Sequence, residues 1–129
     1  MSFLLDTHVL IWLLAGSPRI STDLLNTLAD PGHTIYVSTA SAWEIAIKVG
    51  LGKLAVPSNL HDWLPAEIAA AGLTPLPIEL RHALGVELLP SHHTDPFDRL
   101  LIAQAIAEDL TLVSADRAFD AYDVRLMRC

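Results

Sequence analysis

Short apolar runs recur along the chain with lengths typical of buried strands. The predicted strands lie at residues 3–5, 34–38, 73–77, 110–114 and 124–127. The run at 110–114 has the clearest strand pattern, whereas the two prolines within 73–77 favour a position at the edge of a sheet. We therefore expect about five short strands, at least one of them at an edge.

Between these runs, apolar residues recur with helical spacing. The predicted helices occupy residues 9–14, 21–28, 41–49, 60–71, 78–84 and 95–107, and one further helical turn is expected at 117–121. Gly50, Gly72 and Gly85 each follow such a pattern directly, which is typical of helix C-termini. Residues 87–94 show no helical or strand period and are predicted to form a loop.

The alternation of strands and helices predicts an α/β fold. Parallel strands need crossover connections, and helices supply them, so the central sheet is expected to be mainly parallel and twisted. The chain has 129 residues, of which 52% are hydrophobic and 18% charged. This length fits one domain covering residues 1–129, and the apolar content favours helices on both faces of the sheet.

The helix at 95–107 has unusual charge placement. Asp95 is a favourable N-cap, Pro96 suits the first helical position, and Asp98 falls at the third, near the positive end of the helix dipole. From position 100 to 107 only Gln104 is polar, so most of this helix is expected to be buried. Charges at the start of an otherwise apolar helix are consistent with a functional site at that end.

Other carboxylates fall at corresponding places in the predicted topology. Asp6 follows the first strand, Glu44 lies near the start of the helix after the second strand, and Asp116 follows the strand at 110–114. In open α/β sheets, sites form beyond the carboxyl ends of the strands, where helix N-termini also gather. Asp6, Glu44, Asp98 and Asp116 are therefore expected to converge at one edge of the sheet, with Asp95 as a potential fifth acid.

Each of these acids also has a purely structural interpretation. Asp6, Asp95 and Asp116 suit helix N-caps, Glu44 with Ser41 fits a capping box, and Asp98 complements a helix dipole. Four converging carboxylates, however, repel one another unless a cation neutralises them. Oxygen-only ligands favour hard ions such as Mg²⁺ or Mn²⁺, and one or two such ions support phosphodiester hydrolysis by metal-activated water.

Four segments stand in order along the chain: Leu4-Leu5-Asp6-Thr7, Ser41-Ala42-Trp43-Glu44-Ile45, Asp95-Pro96-Phe97-Asp98-Arg99-Leu100-Leu101-Ile102-Ala103 and Leu112-Val113-Ser114-Ala115-Asp116. Together they resemble the PIN-domain ribonucleases, specifically the VapC-like toxins of type II toxin–antitoxin pairs. The resemblance covers nearly the whole chain. It implies a doubly wound, PIN-like fold, Mg²⁺- or Mn²⁺-dependent endonucleolytic cleavage of RNA, a homodimer, and inhibition by a cognate antitoxin.

Residue by residue, the resemblance matches Asp6, Glu44 and Asp98 to the family's acidic triad and Asp116 to its fourth, less uniform acid. These four residues are the predicted catalytic and metal-binding set. Asp95 lies outside that pattern and is retained as an accessory acid, and Ser114 stands where many family members have threonine. Ser114 is therefore expected to supply a hydroxyl group that supports the acids.

Further residues near these motifs have competing roles. Thr7 is either a local cap or a contact to ligand or phosphate. Arg99 is expected to pair with Asp95 or Asp98, or to hold a phosphate. His8 is predicted to pack beside the first helix, and His92 and His93 to lie in the loop before Asp95 with an undetermined role. Trp12, Trp43 and Trp63 are predicted to be core or interface residues.

Charge and chain termini limit the function further. A net charge of −7 argues against coating nucleic acid electrostatically, so an RNA substrate requires something to neutralise its phosphates near the acids, either a divalent metal ion or a basic partner chain. The N-terminus shows no basic leader, and the single Cys129 gives no disulfide, so we expect a soluble cytoplasmic protein. The alternative function is a non-catalytic α/β interaction domain whose acids are helix caps.

Overall fold

The computed structural model describes residues 1–92 and 94–129. Within them a five-stranded sheet has the order β3-β2-β1-β4-β5, and all four strand pairs are parallel. The strands are β1 (Ser2–Leu5), β2 (Thr34–Ser38), β3 (Thr74–Leu76), β4 (Thr111–Ser114) and β5 (Leu126–Arg128). The sequence predicted this α/β class correctly, including the edge position of β3.

Helices connect the strands and cover the sheet. The α-helices of the described residues are α1 (Thr7–Leu14), α2 (Thr22–Ala29), α3 (Thr39–Gly50), α4 (Leu60–Ala70), α5 (Leu80–Gly85) and α6 (Pro96–Glu108). Two short 3-10 helices, Val86–Leu88 and Arg117–Ala121, complete the architecture. Among the described residues, no helix has the length and apolar character needed to cross a membrane.

The core lies on both faces of the sheet because side chains alternate along each strand. Phe3 and Leu5 of β1 belong to one cluster, which α1, α3 and α4 also join, whereas Leu4 belongs to the other, with residues of α6. All three of these β1 side chains are almost fully buried. β1 is therefore the centre of the sheet in both strand order and packing.

Strand register determines what meets at the carboxyl edge. Leu5, the last residue of β1, lies opposite Val37 of β2 and Val113 of β4. The backbone N–H of Asp6 donates to the Val113 carbonyl at 3.0 Å, so the ladder continues one residue beyond β1. The three strands β1, β2 and β4 consequently end side by side, so the residues that follow them lie close together at this edge of the sheet.

Some predicted boundaries were wrong by about two residues, and the start of α3 is one of them. This helix begins at Thr39 and is capped by Ser38, whose hydroxyl accepts from the Ala40 N–H at 3.0 Å, rather than by Ser41. The 3-10 helix Val86–Leu88 occupies part of the predicted loop, and β5 is displaced towards the C-terminus of its predicted span. The C-terminal Cys129 is a free thiol that is partly buried and packs against the core.

Candidate active site

Asp6 is a buried carboxylate at the end of the central strand. It is only 3% exposed, and its Oδ1 accepts from the Val9 N–H at 2.8 Å, which caps α1. Its Oδ2 accepts a hydrogen bond from the Ser114 hydroxyl. Burial raises the pKa of Asp6, while the hydrogen bonds from Ser114 and Val9 and the charge of His8 lower it and the charge of Asp116 raises it.

Ser114 links Asp6 to Asp116 across two adjacent strands. Its hydroxyl donates to Asp6 and accepts from the Asp116 N–H at 2.9 Å, and its side chain is buried. Asp116 is exposed and caps the 3-10 helix Arg117–Ala121 by accepting from the Ala118 N–H at 2.9 Å. The Ser114 hydroxyl, which was predicted to support the acids, therefore contacts the side chain of Asp6 and the backbone N–H of Asp116.

Glu44 lies inside α3, past its first turn, and is 8% exposed. One of its carboxylate oxygens, Oε2, lies 3.0 Å from Lys48 Nζ, one turn further along the helix. The other oxygen, Oε1, is buried without a hydrogen-bond partner among the described residues. Because Ser38 caps the helix, the capping-box interpretation of Ser41 and Glu44 is wrong, and a cap does not explain why Glu44 is buried.

Asp98 lies in the first turn of α6, and its pKa shows the electrostatic influence of the other acids. The pKa of its carboxyl group is raised to about 7, chiefly by burial and then by the charges of four other acids. These are, in decreasing order of effect, Asp95, Glu44, Asp6 and Asp116. Carboxylates from four separate places in the sequence thus act on one another at the carboxyl edge of the sheet.

The accessory residues take mostly structural positions. Asp95 is exposed and caps α6 by accepting from the N–H groups of Phe97 and Asp98 at 2.9 and 3.2 Å. Thr7 is buried and its hydroxyl donates to the Ser41 hydroxyl at 3.0 Å, which joins α1 to α3 directly beside Asp6.

Arg99 contacts backbone carbonyls and a tyrosine hydroxyl. Its guanidinium donates to the carbonyls of Pro90 and Val86 at 2.8 and 3.1 Å, and to the Tyr122 hydroxyl at 3.3 Å. These contacts fasten the segment before α6 and replace the expected ion pair with Asp95 or Asp98, whereas a phosphate contact by Arg99 stays a prediction. His92 is exposed and lies edge-on against Tyr122, and His93 lies outside the described residues.

His8 and Trp43 are more exposed than the sequence predicted. His8 lies beside α1 as expected, with its ring centre 6.1 Å from that of Trp12, but it is exposed. It shares an open cleft of about 390 Å³ with Asp6, Trp12, Arg19, Ala115 and Asp116. Trp43 is 58% exposed and meets Phe97 edge-on at 5.1 Å, so it is not a core residue. The position of His8, two residues after Asp6 at the start of a helix, was the available signal.

A second cluster of ligating side chains lies at the opposite end of α6. Glu79, His82 and Glu108 offer ligand atoms within 4.8 Å of one another. His82 is fully buried, its Nδ1 accepts from the Glu79 N–H at 3.0 Å, and its Nε2 lies 2.9 Å from Glu108 Oε1. Arg81 pairs with both glutamates. These contacts fasten α5 to α6.

Comparison with known proteins agrees with this architecture. Residues 3–125 match the PIN domain family. Ribonuclease VapC16 of Mycobacterium tuberculosis (strain ATCC 25618 / H37Rv) is 36% identical over 69 residues, a stretch that covers 50% of this chain and only 49% of that protein.

Solved structures with the same fold include VapBC2 from Rickettsia felis bound to a DNA fragment from its promoter. That structure has a TM-score of 0.77 and 20% identity, and the match covers 100% of this chain and 99% of that one. DNA-bound VapBC from Salmonella typhimurium gives a TM-score of 0.72 at 16% identity, with 99% and 98% coverage. With a family match over nearly its full length and the corresponding fold, the chain belongs to the PIN domain family.

Proposed function

We propose that the protein is a metal-dependent endoribonuclease that hydrolyses RNA phosphodiester bonds as the toxin of a type II toxin–antitoxin pair. Asp6, Glu44 and Asp98 form its catalytic metal-binding triad, with Asp116 as a fourth acid. The observation that carries this proposal is the raised pKa of Asp98, which has other acids from separate elements among its causes. Clustered carboxylates of this kind are typical of functional sites.

The donor set suits a hard divalent cation. All four side chains offer carboxylate oxygens, the ligands that Mg²⁺ and Mn²⁺ prefer. Glu44 Oε1 is buried and has no hydrogen-bond partner among the described residues, although a buried carboxylate oxygen is costly to leave unpaired. A cation bound at this edge would satisfy that oxygen and remove the repulsion that raises the pKa of Asp98.

When bound, a divalent cation lowers the pKa of a water molecule, orients it, and neutralises charge that develops on the phosphate. The protein's own contribution is to position and deprotonate the ligands. Ser114 and the Val9 N–H hold the carboxylate of Asp6 in one orientation. Asp98 must lose its carboxyl proton before it binds a cation, and a pKa of about 7 makes that loss easy at neutral pH.

A protein partner is supported by the similarity to toxin–antitoxin structures and by the negative charge of the chain. Structures similar to this chain include a toxin-antitoxin complex from Klebsiella pneumoniae and a member of the VapBC family of toxin-antitoxin systems from Mycobacterium tuberculosis. A net charge of −7 and a pocket of carboxylates suit a basic segment of a cognate antitoxin. We propose such an antitoxin, a homodimeric toxin and a cytoplasmic location.

The direct test is incubation of the antitoxin-free protein with structured RNA and Mn²⁺ or Mg²⁺. We expect cleavage that a chelator abolishes and that Asp6→Asn and Asp98→Asn reduce by at least about a hundredfold, since each removes a metal ligand. Asp62→Asn is the matched control, because this exposed acid in the first turn of α4 loses the same charge. Cleavage that is equal in all variants, or that persists with chelator, contradicts the proposal.

The alternative, a non-catalytic interaction domain, is supported by one observation. Asp6, Asp95 and Asp116 are all observed helix caps, as that interpretation requires. It accounts for Asp98 as an acid in the first turn of α6, but it does not account for the burial of Glu44, because Ser38 caps α3 and the capping box with Ser41 is not formed. This function predicts neither RNA cleavage nor metal-dependent stabilisation, so the same experiment separates the two.

A further inference from the structure

An open cleft adjoins the acids on the side of Asp6 and Asp116. It has a volume of about 390 Å³, and its walls also include His8, Trp12 and Arg19. The guanidinium carbon of Arg19 lies 5.1 Å from the centre of the Trp12 ring, within the range of a cation–π contact. One cation is thus held on an aromatic face next to two of the proposed metal ligands.

Arg19 stands out among the cations of this acidic chain, which has only eight lysines and arginines. Lys48, Arg81, Arg125 and Arg128 pair with carboxylates, and Arg99 donates to carbonyls. Within the described residues, Arg19, Lys53 and Arg117 have no carboxylate within 4.0 Å. Of these three, Arg19 alone lines the cleft with Asp6.

The local backbone fixes Arg19 in this place. Gly16, with φ of +64°, ends α1, and the Ser17 N–H then donates to the Trp12 carbonyl at 2.9 Å. The Arg19 N–H donates to the Ser17 hydroxyl at 3.2 Å, and the Cys129 thiol lies 3.5 Å from the Arg19 carbonyl. The chain therefore turns back so that Arg19 covers the ring of a residue on the preceding helix.

We propose that this cleft is a subsite for the RNA strand, in which Arg19 binds the phosphate of a nucleotide next to the one being cleaved and Trp12 holds the guanidinium ready. The inference rests on the proposed ribonuclease function and adds to it a binding residue outside the acidic set. His8, on the same wall, borders the nucleotide. The ligand is a backbone phosphate of single-stranded RNA, so binding here does not depend on base sequence.

Charge repulsion between this acidic protein and RNA explains why a second cation is needed beside the acids. A protein with a net charge of −7 repels RNA, and a cation at the acids compensates only at the phosphate it contacts. A flanking phosphate needs its own cation, and a guanidinium can bind it through two charge-assisted hydrogen bonds. Because Trp12 already orders the Arg19 side chain, less conformational entropy is lost on binding than for a free lysine.

The test measures RNA binding separately from cleavage. In an Asp98→Asn background with chelator, where no RNA is cut, anisotropy of a labelled single-stranded RNA is followed over a range of KCl concentrations. Arg19→Ala is expected to weaken binding about tenfold and to reduce the slope of log K against log[salt] by about 0.7, the value for one single-strand phosphate contact. Arg19→Lys should keep the slope but lose part of the affinity.

Lys53→Ala is the matched control, because Lys53 is also exposed and has no carboxylate partner but lies beyond the C-terminus of α3. It should leave affinity and slope unchanged. In the active protein, Arg19→Ala should raise KM several-fold with kcat unchanged, as expected when binding is lost equally from substrate and transition state.

Several outcomes would overturn the subsite. They are unchanged affinity and slope in Arg19→Ala, or an equal loss in Lys53→Ala. An Arg19→Ala variant that loses affinity for a partner protein but not for RNA would show that the cleft contacts protein instead. If the wild type cleaves RNA but Arg19→Ala behaves identically, only the subsite fails, whereas a wild type inactive with Mn²⁺ contradicts the ribonuclease itself.

Discussion

The pKa of the Asp98 carboxyl group depends on its own burial and on the charges of the other acids in the site. Burial is the first cause of its raised pKa, and the charges of the surrounding acids add to it. A group with a raised folded pKa binds its proton more tightly in the folded state than in the unfolded state. The metal-free protein is therefore stabilised by a proton on Asp98, and a cation would compete with that proton.

This gives a prediction for stability against pH. The stabilisation from protonated Asp98 is fully present below its unfolded pKa of 3.8 and is lost as pH rises to about 7. With chelator present, the melting temperature of wild type should fall relative to that of Asp98→Asn across this window. Thermal unfolding of both proteins at several pH values measures the difference. A difference that stays constant with pH would mean that Asp98 does not titrate as the structure indicates.

Ser114 gives a second prediction at this scale. Ser114→Ala removes the donor to Asp6 and the acceptor for the Asp116 N–H, both at a buried position. We expect a loss of about 1–3 kcal/mol in the free energy of unfolding and about 10- to 100-fold slower RNA cleavage. Urea unfolding and cleavage rates measure these effects.

Ser114→Thr retains the hydroxyl and is the control for Ser114→Ala. It should keep most of the activity, although its added methyl group enters a site that is only 1% exposed. Equal activity in the alanine and threonine variants would rule out a positioning role for the hydroxyl.

At the scale of elements, the sequence predicted those parts of the site that depend on local chemistry. The N-cap at Asp95, with Pro96 beginning α6, is observed as expected. The start of α3 was mispredicted because Ser38 and Ser41 are both plausible caps, and the choice depends on a tertiary contact. Ser41 is instead bonded to Thr7 of α1, which no local pattern reveals.

The ion-pair partner of Arg99 was mispredicted for the same reason, because it depends on tertiary contacts. Its carbonyl partners include Val86 and Pro90, in the segment between α5 and α6, and the path of that segment is set by packing. The sequence therefore predicted the parallel sheet and the edge position of β3 better than the partner of any long side chain. Arg19 and Trp12 likewise become neighbours only through the turn after α1.

The α6 cap allows charge and capping to be separated. Asp95→Ala removes both, whereas Asp95→Asn keeps an acceptor for the N–H groups of Phe97 and Asp98 but removes the charge. Asp95→Ala should destabilise the fold by about 1 kcal/mol and Asp95→Asn by much less. Both should lower the pKa of Asp98, because the Asp95 charge is one of its causes.

Urea unfolding measures the first effect, and NMR titration of the Asp98 carboxyl group measures the second. Unequal pKa values for Asp98 in the alanine and asparagine variants would show that the cap geometry, rather than the charge of Asp95, shifts this group. The stability order and the pKa thus test two consequences of one side chain independently.

At the scale of the molecule, two clusters compete as explanations for any cation binding. The acids at the carboxyl edge include Glu44, with its unpartnered Oε1, whereas Glu79, His82 and Glu108 already bond to one another and to Arg81. His82 Nδ1 accepts a backbone N–H, so the neutral ring carries its proton on Nε2 and offers no lone pair to a metal. Cation binding should therefore depend on the strand-end acids alone.

Thermal melts with and without Mn²⁺ decide between the clusters. Mn²⁺ at about 100 times its Kd should stabilise the wild type by about 2.7 kcal/mol, since it binds only the folded state. Asp6→Asn and Asp98→Asn should lose this stabilisation, although each is expected to melt higher than wild type without metal because repulsion is relieved. Glu108→Gln, a matched loss of one carboxylate charge at the other end of α6, should keep the full Mn²⁺ response. If Glu108→Gln loses that response while Asp98→Asn keeps it, the strand-end acids are not the cation site, and the raised pKa of Asp98 must then reflect burial without function.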